Sequence, residues 1–415
     1  MELATSLAHL PFFEHLAHVE ENSPEWYSAQ AGLVTLRLVD RCLSGERDAT
    51  HSWTVRAVRV AVSRVPEVDS VRSILSGMVD AVETCSDRSA LAQTLLPRLM
   101  AFGRALDHRS HWTLASDVYR TIGTHANAVH DADLAIDASL RLGYCARVQG
   151  SWEVALDAYL EAGRLAELVG DVTRSLRARI SNAALARERG NYPQAERILD
   201  GVIASCGQLS HDPVRALALH ERASVAFMRR DFERGVQFAY DAYENTDSPR
   251  ERDRILSDIA SFFLELGVRS AARDAFLLVA ATAQEQWSRW AATVNLMELS
   301  AIERVEPQFE SYRRELGALD LPPRLGAHYQ LFAGRGLLAF GRRAEGLSAL
   351  QRALSLAEAH GLNDLIFQIE GSINDEVAAP APRKPVSNAA TTRSWSPEVE
   401  EIARSIGDLR LAAGL

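Results

Sequence analysis

The sequence has few cysteines, a single lysine and no long uncharged apolar segment. Cys42, Cys85, Cys145 and Cys206 lie far apart, so no pair has the close spacing that places two thiolates on one metal ion. We therefore expect buried thiols in a reducing compartment. No segment approaches the roughly 18 apolar residues of a membrane span, and the N-terminus lacks the basic start of a signal peptide. These features predict a cytoplasmic protein without membrane insertion.

Positive charge is also scarce. The 415 residues include 45 Lys and Arg against 55 Asp and Glu, which gives a formal net charge of −10. A general nucleic-acid surface needs a net basic face, so we expect no nucleic-acid partner. Because Lys384 is the only lysine, nearly every positive charge is an arginine. The hydrophobic share of 47% is ordinary for a folded chain, which argues against disorder over most of its length.

Motifs for catalysis and cofactor binding are incomplete. His220 is followed by glutamate as in a zinc-protease helix, but Ser224 stands where the second histidine should be. A Gly-x-Gly-x-x-Ala segment that begins at Gly334 matches the sequence pattern of a dinucleotide-binding site. It lies, however, inside a predicted repeat helix without a preceding strand. No phosphate loop with its lysine and no recognisable nucleophile motif occurs. We expect no enzymatic activity and no cofactor.

Two pairs of histidines have a spacing that is relevant to metal binding. His15 and His18, and also His108 and His111, are three residues apart on predicted helices, so each pair shares a helix face. The sequence shows no third ligand near either pair, and a metal ion needs at least three protein ligands in most sites. We therefore expect exposed or packing histidines and no metal site.

An internal repeat dominates the rest of the chain. Large aromatic residues recur every 40 residues, and each is followed three positions later by a small residue. The pairs are Trp112 with Ala115, Trp152 with Ala155, Tyr192 with Ala195, and Phe232 with Gly235. Gly150 and Gly190 stand just before the aromatic residue. The pattern predicts a helix, a tight turn at the glycine, and a second helix whose small residue lets the two backbones approach closely.

Later copies have a spacing of 37 residues. Gly267 precedes Ala272 by five positions, and Gly341 precedes Gly346 by five positions, 74 residues further on. A degenerate copy is therefore predicted between them, near Leu296 to Leu316. Fixed periods of this length are typical of helical repeat arrays.

The motif letters resemble the tetratricopeptide repeat. Leu142-Gly143-x-x-Ala146 followed by Ala155-x-x-x-Tyr159 is similar to the family pattern of Leu-Gly, then Ala and an aromatic residue. The period exceeds the family's usual value of about 34 residues, which implies helices longer by about one turn. The resemblance implies an all-α, right-handed superhelical solenoid of about seven antiparallel helix pairs over residues 87–372.

The ends lie outside this repeat. Residues 1–86 are predicted to be a helical capping region, with a helix from Ser23-Pro24 to about Cys42 and another from Trp53 to Val65. A separate functional domain is the alternative, although the region lacks the basic recognition helix of a helix-turn-helix. Residues 373–395 are rich in proline and alanine and are predicted to be a linker.

Residues 396–415 are predicted to form a short amphipathic helix. Its apolar stripe is Val399, Ile402, Ile406 and Leu409. A helix of this length is not dependable alone in water and needs a surface, either on its own chain or on a partner. Pro380, Pro382 and Pro385 favour a partner, because they hold the helix away from the last repeat.

In tetratricopeptide proteins the first helix of each pair lines a concave groove, and the resemblance implies that role for nine residues here. They are Arg104, Arg141, Tyr144, Arg147, Arg177, Arg187, His220, Phe227 and Arg254. Guanidinium forks suit carboxylates, so this groove predicts a protein or peptide partner with acidic groups. The alternative is that the arginines pair with Asp and Glu on adjacent helices, and the sequence leaves both open.

The leading functional hypothesis is a non-enzymatic scaffold or adaptor that binds a partner segment in the groove. A ligand- or peptide-responsive regulator is the alternative. An enzyme with an unrecognised site is the third class, and a buried cluster of titratable residues in a pocket would support it.

Overall fold

The computed structural model describes residues 7–46, 51–85, 87–206, 213–377 and 395–415. Within these ranges all regular secondary structure is helical, as twenty α-helices. The chain divides into two compact units, residues 1–202 and 203–415, and the boundary falls inside one helix. Each unit has apolar cores of its own.

The helices follow one another with short connections. Unit 1 contains α1 (Leu10–His18), α2 (Pro24–Ser44), α3 (Ser52–Ser63), α4 (Ser70–Thr84), α5 (Arg88–His108), α6 (Trp112–His125), α7 (Ala132–Val148), α8 (Trp152–Leu168), α9 (Val172–Glu188) and most of α10 (Tyr192–Ser205). Unit 2 contains α11 (Pro213–Met228), α12 (Phe232–Glu244), α13 (Pro249–Leu266), α14 (Arg269–Thr282), α15 (Gln286–Ile302), α16 (Glu306–Gly317), α17 (Pro323–Ala339), α18 (Arg343–Ala359), α19 (Asn363–Val377) and α20 (Pro397–Ala412).

The first four helices precede the repeats. The hydroxyl of Ser23 accepts a hydrogen bond from the backbone N–H of Trp26, at 3.1 Å, and Pro24 occupies the first helical position of α2. Buried residues of α1 to α4 share one apolar core with residues of α5 and α6, and Phe12 packs against Phe102 with ring centroids 6.3 Å apart. The first four helices therefore share an apolar core with the first pair.

Seven helix pairs lie between Arg88 and Ala359 in the described part of the chain, from α5/α6 to α17/α18. Two or three residues join the helices of each pair, which makes them antiparallel neighbours. The pair α15/α16 covers Leu296 to Leu316, where the sequence predicted a degenerate copy. The prediction of an all-α solenoid of antiparallel helix pairs is confirmed.

Every turn within a pair has the same backbone shape. The residue two positions before the second helix is left-handed, with φ between 60° and 81°. In successive pairs this residue is Ser110, Gly150, Gly190, Arg230, Gly267, Arg304 and Gly341. Glycine adopts this conformation without the steric cost that a Cβ atom brings, which explains its presence in four of the seven turns.

The repeated aromatic residues begin the second helices α6, α8, α10 and α12. Their side chains are half-buried. The small residues behave as expected, since Ala155 and Ala195 are completely buried. Close approach is seen at Gly143, where a Cβ atom would lie 2.4 Å from Cε1 of Tyr159.

Helix α20 packs against α12 and α14 of its own unit, which are second helices of their pairs. The fully or almost fully buried members of its stripe are Val399, Ile402 and Ile406. The hydroxyls of Tyr240 and Ser405 lie 2.7 Å apart, and Arg410 Nε lies 2.8 Å from Asp274 Oδ1. The sequence-based preference for a partner surface is therefore corrected, because the stripe finds an apolar site on the same unit.

The predicted linker lies mostly outside the described residues. Helix α19 continues to Val377, and residues 378–394, which include the three prolines, are not among the described ranges. No helix in the described ranges is both long and apolar enough to cross a lipid bilayer.

Candidate binding surface on the first helices

The first helices of the pairs in unit 1, α5, α7 and α9, lie side by side, because α7 contacts both of the others. Charged side chains reach from each helix to the next. We call this surface the first-helix face of unit 1. Its charged residues are Arg104, Asp107, Asp133, Asp137, Arg141, Arg147, Arg174, Arg177, Arg187 and Glu188.

Two arginines connect α5 with α7. Arg104 Nη2 lies 3.7 Å from Asp137 Oδ2, and Arg141 Nη1 donates a hydrogen bond to Asp107 Oδ2 at 3.2 Å. The side chains of Arg104 and Arg141 remain 50% and 47% exposed. The pair between Arg104 and Asp137 is exposed on both sides and contributes only about 0–1 kcal/mol to stability. Asp107 is buried, so its contact with Arg141 also compensates a buried carboxylate.

Between α7 and α9 the contacts are less exposed. Arg147 binds Glu188 through Nη1 and donates from Nε to the hydroxyl of Tyr159 at 3.3 Å, and its side chain is only 16% exposed. Arg187 Nη2 lies 3.7 Å from the same Glu188 oxygen. Burial raises the pKa of the Tyr159 hydroxyl, with the nearby Arg147 opposing the shift. Arg147 thus holds α7 to α9, whereas the contact of Arg187 with Glu188 lies within α9.

Tyr144 adds an aromatic group to this face. The guanidinium carbon of Arg147 lies 5.4 Å from the centre of the Tyr144 ring, within the range of a cation–π contact. Trp112 meets the same ring edge-on at 5.7 Å. Arg177, on α9, is exposed.

Sequence reasoning missed the carboxylates of this face and Arg174. Arg174 lies 2.6 Å from Asp171, 2.8 Å from Asp133 and 3.4 Å from Asp137. Hydrogen bonds from the backbone N–H and guanidinium of Arg174 lower the pKa of Asp171. The available signal was spacing, because an aspartate stands three or four residues from an arginine on α5 and α7 and so shares its face. The first-helix face of unit 1 carries alternating charges rather than arginines alone.

The three predicted residues in unit 2 are arranged differently. His220 is buried at 6% exposure, and Arg254 Nη2 donates to its Nδ1 at 3.2 Å. Since a guanidinium can only donate, the imidazole proton is on Nε2 and is donated to Asp258 Oδ2 at 2.6 Å. Phe227 packs edge-on against Phe232 and Phe262, with centroids 5.4 and 5.3 Å away. His220 and Phe227 therefore pack within the unit, whereas Arg254 is exposed.

A buried carboxyl group lies further along the first helices of unit 2. Glu298 on α15 is 3.9 Å from Arg335 Nη1 on α17, and its side chain is 20% exposed. Burial raises the pKa of Glu298 to about 7, with Arg335 opposing the shift and Glu265 adding to it. Arg335 is itself held by Ser372 of α19, to whose hydroxyl its Nε donates at 3.0 Å.

No family model and no curated protein matches this sequence. Solved structures do match. A Rap protein complexed with competence and sporulation factor is 12% identical, with a TM-score of 0.47, and the match covers 92% of this chain and 99% of that one. A tetratricopeptide repeat protein from Parabacteroides merdae is 14% identical, with a TM-score of 0.45 and coverage of 66% and 98%.

The apo form of the quorum sensor NprR from B. thuringiensis is 12% identical, with a TM-score of 0.46 and coverage of 84% of this chain and 92% of that chain. The fold of this chain is tetratricopeptide-like. At such low identities, and with TM-scores below 0.5, these similarities carry no argument about function.

Proposed function

We propose that the chain is a non-enzymatic adaptor that binds a protein segment or peptide on the first-helix face of unit 1. The observation that carries this proposal is the set of exposed and half-exposed guanidinium groups, Arg104, Arg141 and Arg177, on three adjacent helices. A repeat array offers such a continuous surface because each pair adds one helix to it.

Internal pairing and partner binding are compatible at this face. A guanidinium has five N–H donors, and Arg141 uses one of them on Asp107. Because the carboxylate already restricts the side chain, binding loses less rotamer entropy than it would with a free arginine. The remaining donors suit carboxylates and main-chain carbonyls, so the partner we propose is an extended or helical segment with acidic groups.

The other predicted residues support this surface in different ways. Tyr144 offers a flat aromatic contact beside the arginines, while Arg147 holds α7 against α9 through Glu188. In unit 2, His220 orients Arg254 rather than contacting a partner itself.

The test uses a displayed library of random peptides selected against the full chain, followed by affinity measurements with the enriched peptides. The double variant Arg104→Gln/Arg177→Gln should weaken their binding at least about tenfold, which corresponds to about 1.4 kcal/mol. The urea midpoint should stay nearly unchanged, because the altered side chains are exposed.

The matched control is Arg164→Gln. Arg164 is an exposed arginine on α8, a second helix, where it pairs with Glu161 at 2.7 Å. It should leave peptide affinity unchanged. Equal losses in both variants would mean that charge acts nonspecifically, and a lowered urea midpoint without a change in affinity would assign the arginines to folding alone.

The regulator remains the alternative function, and an enzyme would have to use a cavity with titratable groups. His15, Glu25 and His111 line such a cavity in unit 1. For location we propose the cytoplasm, which the buried free thiols of Cys42 and Cys145 support.

A further inference from the structure

Two histidines and a glutamate from three helices come together in unit 1. His15 lies in α1, Glu25 lies in the first turn of α2, and His111 is the N-cap residue of α6. One ligand atom from each residue lies within 4.8 Å of the other two. The fold therefore supplies the third donor that the spacing of histidines along the sequence did not show.

The distances suit a small tetrahedral ion. His15 Nε2 is 3.2 Å from Glu25 Oε1, and His111 Nε2 is 4.0 Å from the same oxygen. Around Zn²⁺, with bonds of about 2.0–2.1 Å, tetrahedral ligand atoms are about 3.3 Å apart. The first distance already fits, and a movement of His111 by about 0.7 Å would bring the second into range. The third separation, between the two imidazole donors, is at most 4.8 Å.

The imidazole of His15 also suits a cation. Its Nε2 is buried and makes no hydrogen bond of normal geometry among the described residues, although Glu25 Oε1 lies 3.2 Å away. His111 is half-buried, and its Nε2 faces the same Glu25 oxygen. The imidazole rings are 5.2 Å apart and nearly perpendicular.

A cavity of about 340 Å³ adjoins the three donors and has room for a water molecule as a fourth ligand. Asp69 and Arg109 also line it, but they pair with each other at 2.5 Å. The remaining members of the two histidine pairs are exposed, and Nδ1 of His18 lies 2.7 Å from a carbonyl of its own helix. Only one histidine of each pair faces the cluster.

We propose that His15, Glu25 and His111 bind one divalent transition-metal ion, for which Zn²⁺ fits best, and that the ion fixes α1 against α2 and α6. Two imidazoles and one carboxylate form a donor set that zinc accepts with water in the fourth position. The ion would satisfy the buried nitrogen of His15 and would replace a weak contact between helices by coordinate bonds.

The experiment titrates the metal-stripped full chain with ZnCl₂ by calorimetry, for the native protein and for His15→Gln, Glu25→Gln and His111→Gln. Each of these variants should weaken zinc binding at least about tenfold. Zinc should raise the melting temperature of the native protein, because a ligand that binds the folded state stabilises it by mass action. His18→Gln and His108→Gln are matched controls on α1 and α5 and should bind zinc like the native chain.

A second measurement avoids variants that fold poorly. Zinc-edge X-ray absorption of the unmodified, zinc-loaded protein should show two imidazole ligands per ion. Fewer than two imidazoles, no binding by the native chain, or equal affinity in Glu25→Gln and His18→Gln would each overturn the proposal. The proposed adaptor function is unaffected by any of these results, since none of the three ligands belongs to the peptide-binding residues.

Discussion

At the scale of single residues, Gly143 shows how the two helices of one pair approach each other. Its missing side chain makes room for the ring of Tyr159, and an added Cβ atom would lie 2.4 and 2.5 Å from two ring carbons. Gly143→Ala should therefore lower the free energy of unfolding by about 1–3 kcal/mol, measured by urea denaturation.

Gly123→Ala is the matched control. Gly123 lies inside α6, and a Cβ atom added there would meet nothing within 4 Å. Alanine should stabilise this position by about 0.5–1 kcal/mol, because glycine is the poorer helix former. If Gly143 is required for close approach, Gly143→Ala must lower the free energy of unfolding and Gly123→Ala must raise it. Equal changes in the two variants would refute this interpretation.

Glu298 should make stability depend on pH. Its folded-state pKa of about 7 lies above the ordinary value of 4.5, so the folded protein binds more protons than the unfolded chain between these values. The free energy of unfolding should therefore fall as pH rises through this window, by on the order of 1–3 kcal/mol. Glu298→Gln should remove this loss and be more stable than the native chain above the window.

The measurement is urea denaturation below and above that pH range. Glu370→Gln, which changes an exposed carboxyl on α19, should keep the native slope. If Glu298→Gln and Glu370→Gln showed the same pH dependence, ionisation of the buried carboxyl would not be its source.

At the scale of elements, α20 depends on its site on α12 and α14. A helix of 16 residues is marginal by itself, so its amides should exchange slowly only while the apolar stripe is buried. We expect strong hydrogen-exchange protection of residues 399–409 in the native chain. Ile402→Asp should abolish that protection, because it places a carboxylate in the apolar contact.

Arg404→Asp is the control, because it introduces the same residue on the exposed side of α20. It should leave protection intact. Rapid exchange of residues 399–409 in the native chain would instead support a helix that is not docked on its own chain and is available to a partner.

At the scale of the whole molecule, the sequence was most informative where structure is local. The turns at Gly150 and Gly190 and the small residues Ala155 and Ala195 were predictable, because a turn and its helix pair lie within one repeat. The docking site of α20 was not predictable, because the apolar stripe shows that the helix needs a surface but does not identify that surface.

The candidate sites show the same limit. The arginines of the first-helix face were identified, but their carboxylate partners belong to neighbouring repeats, as Asp107 does for Arg141. The contact between His15 and His111 joins residues that are even further apart in the sequence, because α1 packs against α6. Such neighbours become visible only when packing brings separate helices together.

The shared shape of the seven turns has a consequence for how the repeats have diverged. A left-handed φ costs a residue with a side chain about 1–2 kcal/mol, yet Ser110, Arg230 and Arg304 adopt it. Three copies among seven lack the glycine, and the array tolerates this cost because neighbouring copies stabilise one another. The pair at Arg304 has neither the glycine nor the aromatic residue of the repeat. Its left-handed turn residue still matches the other six pairs.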